Sequence, residues 1–241
     1  MHKETISQTD FTFKIIDSQE LLEEVFQLRY QVYCKECNFI KEEDYPQRRE
    51  SDKYDPYSLH FVAEDSEGII GTARLVLNSE LGFPLEEHCG GNLFIKRDSL
   101  PREKIAEVSR LVISKAYRRR KADGLYYTPD YNESPKISDA QILVTRIRPM
   151  AFGIYREMYQ ESKRRGIAYW YAVMEKSLYL LLRMHGFIFE PIGEEIDYYG
   201  PVRPYLGTIK EIEKTVSEKS PKLLQYFLDG LEPEYLIKPL S

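Results

Sequence analysis

Ala106 to Arg120 reads AEVSRLVISKAYRRR, and the fold turns on this stretch. Its first half alternates as a strand does, with Glu107, Ser109 and Leu111 on one face and Val108, Arg110 and Val112 on the other. Its second half, Tyr117-Arg118-Arg119-Arg120, concentrates positive charge where a strand hands over to a loop or helix. Glu107 and Arg110 are three apart, so on a regular strand they point to opposite faces. A bulge between them would bring them together.

Elements on both sides of this strand follow from periodicity. Phe11 to Ile16 reads as a short strand. Ser18 to about Glu36 reads as an amphipathic helix, with Ser18 as N-cap and Leu21, Leu22, Val25, Phe26, Leu28 and Val32 at helical spacing. Leu59–Glu64 and Ile69–Leu77 flank a Glu67-Gly68 turn and predict a hairpin. Two stretches read as irregular, 78–104 and 122–138, and loops of that length point to a lid over a site. A helix runs from about Asp139 or Thr145 to Arg165 with Gly166 as its stop, and Pro149 should kink it or mark its first turn. Ile167–Met174 reads as a strand, Glu175–Met184 as a helix, and Phe187 onward as a final strand. Two surface helices follow from Thr208 to Leu228, split near Pro221. The order β-α-β-β-β-α-β-α-β predicts one mixed, mainly antiparallel sheet with helices on both sides, an α/β (α+β) fold in residues 1–205. Residues 206–241 read as a helical extension packed on it.

Composition bounds the chemistry. The chain has 241 residues, 42% hydrophobic and 30% charged, which describes a globular protein with a substantial core. Its net charge of −5 disfavours nucleic acid as a partner. No apolar run approaches the roughly 20 residues of a spanning helix, and the N-terminus lacks a signal-peptide pattern, so cytoplasmic residence is expected. Cys34, Cys37 and Cys89 are an odd set for a disulfide framework. Cys34-x-x-Cys37 has only His88-Cys89 as complement, so reduced structural thiols are preferred over a metal site.

The candidate site residues are spread along the chain: Arg29, Tyr33, Phe39, Asp52, Asp55, Arg74, Glu107 and Arg110. With the strand, YRRR turn and helix, this set resembles the GNAT superfamily, and within it the acyl-homoserine-lactone synthases and N-acyl amino acid synthases. The resemblance matches Arg29, Tyr33 and Phe39 to the residues framing the amine-donor site, Phe39 standing at a tryptophan position. It matches Asp52 and Asp55 to a paired acidic motif, Arg74 to a mid-sheet arginine, and Glu107 and Arg110 to a glutamate and arginine of the site. YQVYCKECNF, DKYDPYSLHFVA, GTARLVL, EVSRL, YAVMEKSLYLLLRMHGFIFEPIG and YYGPVRPY are similar to the acyltransferases associated with the PEP-CTERM/exosortase system. The resemblance implies the GNAT fold and an enzyme that moves an acyl group from an acyl-phosphopantetheine co-substrate to a small-molecule amine, with no permanently bound cofactor and no metal.

Amide formation from a thioester needs a deprotonated amine, a polarised carbonyl and a leaving thiolate. Glu107 is the candidate base if burial raises its pKa. The competing reading makes it an ion-pair partner of Arg110 or Arg74. Arg29, Asp52 and Asp55 read either as an ionic network shaping the amine pocket or as an anchor for the loop after the first helix. In CoA-using members of the superfamily the turn carries glycines that wrap a pyrophosphate. Here Arg118, Arg119, Arg120 and Lys121 fill those positions, and Lys163, Arg164 and Arg165 extend the charge. That arrangement favours an acyl carrier protein as donor and partner over CoA. A CoA-dependent acyltransferase and a non-catalytic acyl-carrier or lipid-binding module are the alternatives. Many GNAT enzymes place a tyrosine four residues before the Gly-Phe that ends the last helix; this chain has Leu182 there and Tyr179 one turn earlier. Phe152, Tyr155, Tyr169, Trp170, Tyr171, Phe187 and Phe189 suit a packed core and an acyl pocket equally.

Overall fold

The structure, a computed structural model, describes residues 11–96, 98–114 and 137–236, with side chains in the last segment from residue 150 onward. Strand β1 (Thr12–Ile15) leads to helix α1 (Gln19–Tyr30) and the hairpin β2 (Ser58–Asp65) and β3 (Gly68–Leu77). Helix α2 (Pro84–Cys89), strand β4 (Ile105–Ile113), helix α3 (Ile137–Arg164), strand β5 (Tyr169–Met174) and helix α4 (Lys176–Met184) follow. Short strands β6 (Glu190–Pro191) and β7 (Ile196–Asp197) precede β8 (Pro201–Thr208), α5 (Ile209–Lys219) and α6 (Pro221–Leu228). The sheet runs β1-β2-β3-β4-β5-β8-β6, with β7 also on β8. Every pairing is antiparallel except β4 with β5. This is the expected mixed, mainly antiparallel α/β sheet.

Local chemistry sets the boundaries. Ser18 caps α1, its hydroxyl accepting the Leu21 N–H at 3.3 Å. Gly166 closes α3 with φ +68 and Gly186 closes α4 with φ +94, both in the left-handed region. Helix α1 lays Val25 and Phe26 on Val62 of β2. On the opposite face, Met150, Ile154 and Met158 of α3 pack on Phe61, Ala73, Leu75 and Ala106. That approach is close enough to require Gly153, where a Cβ would stand 2.2 Å from the Phe13 ring.

Three expectations need correction. The stretch 78–104 is not wholly irregular, because it contains α2, whose Leu85 and Cys89 are fully buried. The final long strand is not at Phe187; Phe187 and Phe189 are core residues, and the strand lies at Pro201–Thr208 beyond two short strands. Of the two readings of Pro149, only the first-turn one falls, because Pro149 lies inside α3. The helices after β8 are more than surface decoration, since Ile209, Ile212, Val216 and Phe227 join the main core. Among the described residues no helix is long and apolar enough to cross a membrane.

The feature that positions the site is a bulge in β4. Thr72 of β3 faces Val112, yet Arg74 faces Ser109, so one residue of β4 is extra. That residue is Arg110 or its neighbour, and Arg110 carries φ +52. The bulge resets the alternation. Ala106 and Val108 before it, and Leu111 and Ile113 after it, pack toward the α3 core. Glu107, Ser109 and Arg110 are left together on the α1 side. Beyond Val108, β4 also leaves β5, whose pairing spans only Ile105–Val108 with Tyr169–Ala172. A cleft opens between the two strands.

Candidate active site

Three arginines and three carboxylates meet on the α1 face of the sheet. Arg29 enters from the last turn of α1, Arg74 from β3, Arg110 from the β4 bulge, and Glu50, Asp52 and Asp55 from the loop before β2. Arg29 bonds Glu50 through Nε and Asp55 through Nη1 at 2.7 Å and Nη2 at 3.3 Å. Arg74 Nη1 reaches Asp52 at 2.6 Å and Asp55 at 2.8 Å, while its Nε donates to Ser109 Oγ at 3.1 Å. Arg110 Nη2 reaches Glu50 at 3.0 Å and Asp52 at 2.9 Å. Three positive and three negative charges form a closed, neutral set.

This network is interior. Arg29 and Arg74 are 1% and 0% exposed. Burial alone would raise the carboxylate pKa values, but Arg29, Arg74 and Arg110 overcome it and hold Glu50, Asp52 and Asp55 below their ordinary range. Asp55 also accepts the Asp52 N–H at 2.6 Å, and Asp52 accepts the Tyr54 N–H at 2.9 Å, which locks the loop. The network and the loop anchor are therefore the same structure.

Glu107 stands apart from it. It is 3% exposed, and the Leu85 N–H of α2 donates to its Oε2 at 2.8 Å. The expected ion pair with Arg110 or Arg74 is not formed among the described residues, because both arginines are engaged by the loop carboxylates. Desolvation consequently dominates and pushes the Glu107 carboxyl up to about 7, against smaller opposing effects of the Leu85 N–H, Arg74 and Arg110. A carboxyl in that range exchanges a proton near neutral pH.

A cavity of ≈ 590 Å³ links these groups. At its polar end are Tyr33, Phe39, Glu50, Asp52, Arg110 and Tyr199; at its apolar end are Tyr155, Met158, Trp170, Leu182, Phe187 and Phe189. Glu107, Val108 and Ser109 line it where β4 and β5 diverge. Of the sequence-predicted residues, Tyr33, Phe39, Asp52, Glu107 and Arg110 face this cavity, whereas Arg29, Asp55 and Arg74 lie behind them and hold them. A π-helical turn, Gln31–Glu36, follows α1 and carries Tyr33; Phe39 comes just after it, 6.3 Å away between ring centroids.

The aromatic set divides. Tyr155, Trp170, Phe187 and Phe189 line the cavity, Phe152 stacks on Phe187 at 5.9 Å, and Tyr171 packs edge-on to Phe83 on the opposite face. Leu182 is a wall of the apolar end, while Tyr179 stacks on Tyr205 at 4.8 Å. Lys163, Arg164 and Arg165 do not form an open cationic patch: they pair with Glu213, Glu232 and Glu161 at 2.7, 3.0 and 2.6 Å. Arg118, Arg119, Arg120 and Lys121 lie outside the described residues. No disulfide joins Cys34, Cys37 or Cys89 among the described residues. Sequence reasoning passed over Glu50, the carboxylate shared by Arg29 and Arg110, although its place two residues before Asp52 was a usable signal. His88 and Tyr198, which also line the polar end, carried no pattern.

Residues 28–127 match the family profile described as an acetyltransferase (GNAT) domain. Comparison with curated proteins returned no match. Among solved structures, the CoA-dependent acyl-homoserine lactone synthase BjaI with SAM and isopentyl-CoA is 17% identical, with a TM-score of 0.62 over 92% of this chain and 90% of that one. TofI, in a ternary complex with an inhibitor and MTA, is 19% identical with a TM-score of 0.60 over 94% and 99%. FeeM, an N-acyl amino acid synthase from uncultured soil microbes, is 12% identical with a TM-score of 0.54 over 88% and 97%. The fold is that of the GNAT proteins, and the likeness covers most of the chain.

Proposed function

We propose that this protein is an N-acyltransferase that moves an acyl chain from a phosphopantetheine thioester to the amine of an amino acid or similar small molecule. One observation carries the reading. A single cavity joins a charge-lined mouth to an apolar chamber across the β4–β5 cleft, and Glu107 sits at the junction. An acyl chain suits the chamber, an amine suits the mouth, and the thioester carbonyl then lies beside the bulge.

In this reading the amine nitrogen attacks the carbonyl carbon and its C–N bond forms as the C–S bond breaks. Glu107, deprotonated above about pH 7, takes the proton that the amine loses. The sulfur leaves as thiolate, and a thiol of pKa about 8.5 needs little assistance, which fits Leu182 at the usual tyrosine position. The products are an amide and the free thiol. Past Val108 the β5-facing edge of β4 is released from its ladder, and a backbone N–H there is suited to the developing oxyanion. The arginine–carboxylate network holds the mouth rigid and keeps the nearby charge balanced.

Acyl carrier protein is the proposed donor, on the strength of the basic run Arg118–Lys121 in the sequence, with cytoplasmic residence following from such a donor. A place beside an exosortase-type system rests on sequence resemblance alone. CoA is the second reading: Lys163–Arg165 are paired internally, which removes part of the carrier-protein argument. The test is thiol release from matched acyl-carrier-protein and acyl-CoA panels, with and without an amino acid pool, products read by mass spectrometry. An acyl-amine formed from carrier protein alone supports the first reading, and one formed from CoA the second. Tight donor binding without product overturns both in favour of a binding module.

A further inference from the structure

An amine reaches the site at neutral pH as an ammonium ion, and acyl transfer then has a proton to dispose of while the cavity is full. The acceptor sheds two protons, one before its nitrogen attacks and one as the amide forms. Glu107 holds one of them. The other must leave before any thiolate exists to take it, with donor and acceptor both in the cavity that Glu107 faces. Glu107 is 3% exposed, and the two substrates would stand between it and the mouth. Its proton needs another way out.

Such a route runs through Tyr54. Tyr54 is buried in the cluster that contains Val76 and Leu85. Val76 stands opposite Glu107 across β3 and β4, and the Leu85 N–H is the Glu107 donor. Tyr54 lines the same cavity as Glu107 and feels its charge. The Tyr54 hydroxyl donates to Glu87 Oε2 at 2.6 Å. Glu87, on α2, has its side chain 47% exposed and meets Lys53 Nζ at 3.0 Å. The series therefore runs from a buried carboxyl, through a buried hydroxyl, to a carboxylate in solvent. Lys53, Tyr54 and Glu87 also line a second cavity of ≈ 490 Å³, shared with Leu81, Phe83 and Glu86. Leu81 is 42% exposed, so this cavity meets solvent apart from the substrate mouth.

Anchoring the loop does not account for the Tyr54–Glu87 bond. Asp52 and Asp55 already lock that loop, and Ser58 Oγ donates to the Tyr54 carbonyl at 2.7 Å. Burial and Glu87 keep the Tyr54 phenol protonated. The Tyr54 hydroxyl and Lys53 hold Glu87 below its ordinary range, so Glu87 passes a proton on instead of keeping it. The other charged or titratable groups facing the pair are Asp52, Glu107 and His88. We propose that Tyr54 and Glu87 are a proton exit, carrying the acceptor's first proton from Glu107 to solvent through the partition between the two cavities. Glu107 gives its proton to the Tyr54 oxygen as the Tyr54 hydroxyl gives its own to Glu87 Oε2. Glu87 releases it to solvent, the hydroxyl turns back, and Glu107 is again a carboxylate that takes the second proton as the amide forms. The exit rests on the acyl-transfer reading.

The full chain is loaded with its acyl donor and mixed with an amino acid acceptor. The single-turnover rate is read in light and heavy water for wild type, Tyr54→Phe, Glu87→Gln and the double variant. Tyr54→Phe keeps the ring in its cluster, and Glu87→Gln keeps a half-exposed side chain of the same size, so both fold. Each is expected to slow the step about tenfold, to raise the solvent isotope effect to about 2 or more, and to leave the half-saturating acceptor concentration unchanged. The double variant should be no slower than either single one, because both remove the same path. An unchanged rate in either variant, a loss confined to acceptor affinity, or losses that multiply in the double variant overturn the exit. If wild type acylates no amine in the donor and acceptor panels, the acyl-transfer reading falls and the exit with it. A working wild type whose variants match its rate loses the exit alone.

Discussion

The two ends of the cavity are stabilised in opposite ways. At the polar end, every charge of the arginine–carboxylate network is met by another, and Arg29 and Arg74 are as deeply buried as any leucine. At the apolar end shape is set by Trp170, Leu182, Phe187 and Phe189. Glu107 belongs to neither pattern, being buried with a backbone N–H where the network residues have ionic partners. The difference teaches where reactivity sits. Paired ions hold geometry and resist titration, whereas an ion denied its partner becomes a proton donor or acceptor near neutral pH.

The largest effect is expected from breaking the polar end. Arg29→Met leaves Glu50 and Asp55 short of a buried partner and should cost about 3–5 kcal/mol in denaturant unfolding. A cost under about 1 kcal/mol would mean that water, not burial, governs that end. Next comes Glu107→Gln, which should lower kcat by about 10²- to 10⁴-fold while leaving the fold intact. The wild-type rate should climb with pH toward a plateau above about 7, and the variant should lose that limb. Stability carries the same signature. The folded chain holds the Glu107 proton more tightly than the unfolded chain, so Glu107 makes stability fall as pH rises from 4.5 to about 7, and Glu107→Gln removes that fall.

The apolar end responds to volume rather than charge. Ala172 is buried on the chamber wall, and Ala172→Leu should shorten the longest acyl chain used. Each methylene that no longer fits should cost about fourfold in kcat/KM, read over a chain-length series of donors. An unchanged chain-length profile would place the acyl group elsewhere. The smallest effect concerns His60, which is buried beside Asp55 and whose pKa burial lowers to about 4. Unfolded histidine takes up its proton near 6.5, so this contribution is present above that pH and is lost as pH falls from 6.5 toward 4. His60→Gln should flatten stability in that window by about 1–3 kcal/mol, measured by urea unfolding at several pH values.

Much of this was legible in the chain. Ser18, Gly166 and Gly186 are local signals, and the helices they bound lie where the pattern places them, because caps and left-handed stops act within a few residues. The alternation of β2, β3 and β4 identified a sheet for the same reason. Helix α2 escaped because it is six residues long, too short for a period to show. The strand expected at Phe187 failed because an apolar run looks alike whether it pairs in a sheet or plugs a core. Lys163 and Arg164 read as part of an open patch because their partners, Glu213 and Glu232, lie about fifty to seventy residues away in sequence.

By itself the sequence determined the order of the longer elements up to α4, the mixed antiparallel sheet, and the residue types gathered at the site: arginines, carboxylates, aromatic rings and one glutamate on a central strand. Those follow from periodicity and composition, which are properties of neighbours along the chain. Only the tertiary structure decided which charges meet, that Glu50 joins Arg29 to Arg110, and that Arg110 turns onto the Glu107 face through a single bulge. It also decided that Glu107 meets the Leu85 N–H and, among the described residues, no arginine, and that Tyr199 reaches Phe39 across the mouth. Ion pairing and desolvation depend on distance and burial in space, and segments separated by tens of residues acquire those only when the sheet closes around them.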